Sequence, residues 1–337
     1  MSNEELWISS FSGTDPGTKA RGSSDLEALQ KRADIRVLPL QRQASAMLEA
    51  LPALGSVDYT TGNAGATCTR REQVRGILST GEGTTLFGDA GSLRWLDQSW
   101  RHSVAVLSRG EDFTDTPPCL LLFGEGGDLA HQITLWDPAT WEGFIDLVCR
   151  HRGCWTCLQH RAETPGAGPA SECPAWMLKE AWCEAESERD LDLRLGRLGL
   201  GRVTALRAME GLFTTPIEVR DLAALLTDLA SSQVPVHLQV GNRHCTQVLE
   251  SPLDAIRLDP QAWEIQMAQT TLRIHPDRID SAWSVVQPLP GGERQRFECY
   301  DAAGGQVLSL SCPLAPCPLV EAGWQGVLGR FEARKLI

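Results

Sequence analysis

Leu93 to Ser108 reads LRWLDQSWRHSVAVLS, and Leu272 to Gln287 reads LRIHPDRIDSAWSVVQ. The two stretches align without a gap. Leu93-Arg94 falls on Leu272-Arg273, and Val106-Leu107 falls on Val285-Val286. A second pair follows in the same order: LLLFGEGGDLAHQITL (Leu120–Leu135) lies over FECYDAAGGQVLSLSC (Phe297–Cys312), turn upon turn at Gly124–Gly127 and Asp301–Gly304. Within each stretch apolar and polar residues alternate at period two, the pattern of half-buried strands. Matches repeated in order mean a duplicated unit, so the reading is an internally duplicated α+β fold, two repeats each with an antiparallel β-sheet flanked by helices.

Working outward, Asp25–Lys31 reads as a helix and Ala46–Leu54 as another that stops at Gly55. Pro117-Pro118 breaks the chain before a buried strand Cys119–Phe123, and Leu129–Leu135 follows the glycine turn. Asp137-Pro138 opens a helix Ala139–Arg150, with Asp137 as N-cap and Pro138 at its first position. The stretch AETPGAGPASECP (Ala162–Pro174) is a linker by composition. The domains are then 1–161 (first repeat with an N-terminal helical segment), 162–175 (linker) and 176–337 (second repeat). In the second repeat one long amphipathic helix is expected over Trp176–Leu198, ended by the Gly196-x-x-Gly199-x-Gly201 run, and a second over Ile217–Leu229. Strands are expected at Val236–Val240, Thr246–Leu249, Ala255–Leu258, Glu264–Met267, Thr271–Ile274, Phe297–Tyr300 and Gln306–Leu310. A helix over Val320–Phe331 closes the chain.

With 43 acidic and 31 basic side chains in 337 residues the formal charge is −12. No basic excess is available to release phosphate counterions, so nucleic acid is excluded as a partner. The longest apolar runs fall far short of the ~20 residues that span a bilayer, and the acidic opening MSNEEL is no secretory signal. Eleven cysteines in a chain of this size read as buried thiols of a reducing cytoplasm. P-loop, HExxH and GxSxG patterns are absent.

The ordered set Leu54-Gly55-x-Val57, Leu93-Arg94, Trp100-x-His102-x-x-Ala105-Val106 and Gly127-x-x-Ala130-His131 resembles the first repeat of the HemS/ChuS family. Arg202-x-x-Ala205-Leu206-Arg207, Val240-Gly241-Asn242-x-x-Cys245-x-Gln247, Trp283-x-Val285-Val286-x-Pro288, Asp301-x-x-Gly304 and Glu321-x-x-Trp324 resemble its second. The likeness covers residues 25–335. It implies a HemS-like fold and a cytoplasmic protein that binds, carries or degrades haem for iron acquisition. The implied ligand or cofactor is haem, and the implied partner a haem-uptake or haem-degrading protein.

The resemblance also marks a departure. The family's axial histidine lies thirteen residues before the arginine that is Arg202 here, and that position is Arg189. A guanidinium stays protonated and has no lone pair for iron. Helical spacing would put Trp182, Ala185, Arg189 and Leu193 on one face. The family's Lys after its paired valines is Gln287, the aromatic before its VGN is Gln239, and its Tyr- and Arg-bearing strand reads Leu310–Ala315. Of the residues that hold propionates in the family, Arg202 is retained. A substitute iron ligand would come from His244, Cys245 or Cys312, each of which reads equally as a buried structural residue. His102 and His131 read either as ligand contacts or as hydrogen-bonded strand histidines. Cys149, His151, Cys154, Cys157 and His160 offer CxxC spacing for one edge of a zinc site or for a redox pair, the latter less in keeping with a place after a helix end and before the linker. The alternative to haem handling is a non-enzymatic member whose cleft takes another small ligand or a protein.

Overall fold

The structure is a computed structural model, described here for residues 24–41, 44–80, 83–89, 91–96, 100–108, 117–154, 173–289 and 292–335. The first half contributes β1 (Ile35–Pro39), β2 (Val57–Gly62), β3 (Ala66–Glu72), β4 (Gly76–Thr80), β5 (Gly83–Phe87), β6 (Gly91–Leu96), β7 (His102–Ser108), β8 (Cys119–Phe123) and β9 (Leu129–Thr134). The second contributes β10 (Thr214–Ile217), β11 (Val236–Gly241), β12 (Cys245–Ser251), β13 (Ala255–Leu258), β14 (Trp263–Met267), β15 (Thr270–Ile274), β16 (Ser281–Leu289), β17 (Gly292–Tyr300) and β18 (Gln306–Ser311). The helices are α1 (Asp25–Gln30), α2 (Ala44–Ala50), α3 (Trp141–Arg150), α4 (Ala175–Cys183), α5 (Glu188–Arg197), α6 (Arg202–Ala208), α7 (Val219–Ser232) and α8 (Pro318–Lys335).

The repeats are legible in detail. Gly127 and Gly304 take left-handed φ of +74° and +80° in the matching β8–β9 and β17–β18 turns, a conformation that favours glycine. Strands and cores, however, cross between the halves. One sheet runs β1-β7-β8-β9-β2-β3-β15-β14-β13 and the other β10-β16-β17-β18-β11-β12-β6-β5-β4, antiparallel throughout their pairings. Each half thus gives three strands to the other half's sheet. Their side chains stay at home. Trp263, Ile265, Met267, Leu272 and Ile274 pack in the second-half core with Leu222, Leu225 and Leu226 of α7. Leu86, Leu93 and Trp95 pack in the first-half core with Leu51, Leu54, Phe144 and Leu147.

Two asparagines pin the crossing. Asn63 donates to the carbonyls of Gly241 (2.8 Å) and Val307 (2.8 Å), and Asn242 to those of Gly62 (3.0 Å) and Ala130 (2.8 Å). Each side-chain oxygen accepts from two backbone N–H groups of its own turn.

The expected helix over Trp176–Leu198 is two helices. Glu184 ends α4, and Ser187, in extended backbone (φ −155°), caps α5 by accepting from Asp190 N at 3.1 Å. A serine that satisfies orphan N–H groups starts a new helix in place of continuing the old one. The single face of Trp182, Ala185, Arg189 and Leu193 is therefore broken: Trp182 is fully buried, Arg189 half-buried and Leu193 exposed. Gly199, at φ +71°, ends α5 as expected of a C-terminal glycine. Ile217, the expected first residue of the next helix, instead ends strand β10, and α7 starts two residues later at Val219 behind Glu218. Asp137 does cap, accepting from Ala139 N. Residues 162–172 of the expected linker lie outside the described residues.

Candidate functional site

The second sheet has two faces of opposite character. Phe297, Cys299, Leu308 and Leu310 point into the core under α7 and α8. On the other face Trp283 and Val285 pack with α4, α5 and α6 through Leu178, Trp182, Leu191, Leu195, Ala205 and Leu206. Pairing puts Glu298 opposite Trp283 and Ser309, and Arg296 opposite Val285 and Ser311. Period two then sets both charges on the α4–α6 face, in rows that continue to Gln239 and His237 on β11.

There the charges form one buried network. The Glu298 carboxylate, fully buried, receives Arg202 Nε (3.1 Å) and Nη2 (2.7 Å) as a fork, the Tyr300 hydroxyl (2.6 Å) and an ion pair from Arg296 Nε at 2.8 Å. Burial alone would push this carboxyl up; the two guanidiniums and the tyrosine overcome that and hold it below the usual carboxylate range. Burial and the Glu298 charge push the Tyr300 hydroxyl well above its ordinary value. Arg202 also meets Asp192 (3.1 Å) and lies 5.4 Å over the Trp182 ring. Trp182 in turn donates to Val286 O (3.1 Å) and stacks on Phe213. Arg296 reaches Glu188 Oε2 (2.7 Å) and donates to Gln287 Oε1 (2.5 Å), while Gln287 donates to Ser187 O at 3.2 Å. Beside the network a cavity of about 270 Å³ is lined by Glu188, Asp192, Leu200, Arg202, Tyr300 and Gln306 among others.

Of the residues singled out in the sequence, Arg202 and Gln287 are in this network, and Arg189 stands on the first turn of α5 beside it. The rest are dispersed. Gln239 is engaged by His237 Nε2 (3.0 Å) on its own strand, and His237 by Glu250 (2.7 Å). His244 sits at the crossing of the halves, Nε2 2.5 Å from Asp128, which also pairs with Arg243. Cys245 points at Ala130 O and Thr61, and burial pushes its thiol up to about 12. Burial likewise raises Cys312, and a protonated thiol is a poor ligand. His102 opens β7 opposite Phe123, buried in the first repeat. His131 is fully enclosed between Tyr59 and Trp95, its Nδ1 2.8 Å from Thr61 Oγ. Cys149 is exposed, and Cys157 and His160 lie outside the described residues. Among the described residues no group of His, Cys, Asp and Glu is placed to hold a metal ion, and no helix is long and apolar enough to cross a membrane.

Arg296, Glu298 and Tyr300 were not anticipated. Their signal is in the chain: Arg294-x-Arg296-x-Glu298-x-Tyr300 places polar groups at period two along a strand next to apolar Phe297 and Cys299. Ionic side chains on one face of a buried strand must be paired with one another.

The sequence model of the haemin-degrading HemS.ChuX domain matches the chain at residues 199–312. The hemin transport protein HmuS of Yersinia pestis is 22% identical over 308 residues, covering 88% of this chain and 87% of that protein. Holo-PhuS, a heme-binding protein from Pseudomonas aeruginosa, superposes with a TM-score of 0.81 at 22% identity, over 97% of this chain and 98% of its own. The heme degrading enzyme ChuS of Escherichia coli O157:H7 gives 0.80 at 18% identity, over 91% and 90%. These structures share the whole two-repeat architecture. The domain match lies on the second repeat and the shared architecture extends over both, so the chain has the fold of these proteins along its length.

Proposed function

We propose that this is a cytoplasmic haem-handling protein, a carrier in haem and iron acquisition, with a second-repeat site that departs from the family pattern. The observation that supports it most is the likeness to a hemin transport protein along 88% of the chain, joined by Arg202, which lies over the Trp182 ring and lines the cleft. Residues 1–161 and 176–337 are taken as its two domains, and a haem-uptake or haem-degrading protein as its partner. Ring cleavage is the weaker reading, because it needs iron held with an open face and an electron donor.

As arranged, the residues of the cleft do not fit a haem ligated by this chain. The cavity lining has no histidine, cysteine or methionine. The Tyr300 hydroxyl donates to Glu298 and stays protonated, and Arg202 is committed to two carboxylates. At about 270 Å³ the space is also below the ~300–1,000 Å³ of ordinary small-molecule pockets. These observations favour a second reading, in which the protein has left haem and its cleft serves another ligand or a protein. A haem titration followed by absorption separates the two. The carrier reading expects a saturable Soret band at one haem per chain, weak but above that of an acidic control protein. Binding no better than the control favours the second.

A further inference from the structure

The contacts around Ser187 and Glu188 close on themselves. Ser187 O accepts from Gln287, Gln287 accepts from Arg296, and Arg296 pairs with Glu188. This ring ties the start of α5 to β16 and β17. Its hub is the Arg296 guanidinium, about 6% exposed, whose three nitrogens meet Glu188, Gln287 and Glu298 on three different elements. A fork of fixed geometry can do this; a point charge cannot. We propose that Arg296 is a latch that holds the first turn of α5 down on the sheet and so limits how readily a large planar dianion of the porphyrin type enters the cleft.

Three points support the assignment. The segment it pins, Ser187–Glu188, adjoins Arg189 and contributes Glu188 to the cavity wall. Besides Arg296, α5 is joined to the sheet side by Gln287 and by Asp192 on Arg202, while Leu191 and Leu195 supply apolar contact. Glu298 does not depend on the latch, because Arg202 and Tyr300 hold it independently. Arg296 can therefore be removed without stranding a buried charge, and Glu188, partly exposed, is left to solvent.

The test uses the full chain with Arg296→Met, and Glu188→Gln as a second variant that breaks the same pair from the solvent side. Hydrogen exchange at residues 188–194 should quicken about tenfold in both, with the exchange of β11 and β12 unchanged. Haem should bind the variants more tightly than wild type. Exchange at 188–194 unaltered in Glu188→Gln and in any folded Arg296→Met protein would overturn the latch. The choice of ligand rests on the haem-handling reading, whereas the exchange does not. Faster exchange with no gain over a wild type that binds haem would overturn the latch's role in porphyrin entry, whereas absence of haem binding in wild type and variants alike would count against the haem-handling reading instead.

Discussion

His131 shows how a single enclosed side chain sets the acid response of this protein. Burial, with a further push from Arg70, lowers its pKa to about 3, so the native state keeps the imidazole neutral while the unfolded chain protonates near 6.5. The unfolded state therefore binds the extra proton between those values, and stability falls as pH drops through that window. Wild type should lose about 2 kcal/mol more than His131→Gln between pH 7 and pH 5, measured by urea unfolding at each pH. Parallel pH profiles for the two would show that His131 is not the group responsible. At the cleft, Arg189→His supplies a largely neutral imidazole on the first turn of α5, where Arg189 offers no lone pair. Haem should then bind at least about tenfold tighter, more than in Arg189→Ala. Equal behaviour of the two substitutions would mean that position 189 does not face the ligand.

At the scale of elements, the turns at Gly62-Asn63 and Gly241-Asn242 carry the crossing of the halves. Each asparagine satisfies backbone carbonyls of the opposite half, so truncation leaves buried acceptors unpaired. Asn63→Ala and Asn242→Ala should each cost about 1–3 kcal/mol in denaturant midpoint, while Asn→Asp should fare little better, having lost the donor. The sequence announced most strands and helices because alternation and caps are local signals. Cys119–Phe123 and Ala255–Leu258 were legible to the residue. The break at Glu184–Ser187 was not, since the spacing of Trp182, Ala185, Arg189 and Leu193 runs on as though one helix continued. The Ser187-x-x-Asp190 cap was the overruling cue. The cleft was partly legible. Arg202 and Gln287 stood out by resemblance, whereas the role of Arg296 needs a register across β16 and β17 that no local pattern carries.

At the scale of the molecule, the exchange of three strands in each direction was invisible in the sequence. A strand's alternation reports which face is buried, and says nothing of whose edge it pairs with. The consequence for cleavage is definite. A cut between residues 162 and 174 should leave two fragments that co-elute on size-exclusion chromatography and part only in denaturant, because the β3–β15 and β12–β6 ladders both bridge them. Freely separating fragments would contradict that pairing in solution.

The same exchange sets a timetable for the nascent chain. When the ribosome has delivered residue 150, β3 has no neighbour on its outer edge and β4–β6 have no sheet to join, since β12 (Cys245–Ser251) and β15 (Thr270–Ile274) are still to be synthesised. An unpaired edge held open that long invites other chains. Completion requires contacts between residues about 150 to 200 positions apart in sequence, a separation that slows the final step. A ribosome stall or premature stop within the second half would therefore release a sticky intermediate in place of a functional half-protein. Synonymous or truncating changes there would be felt as insolubility of the first half.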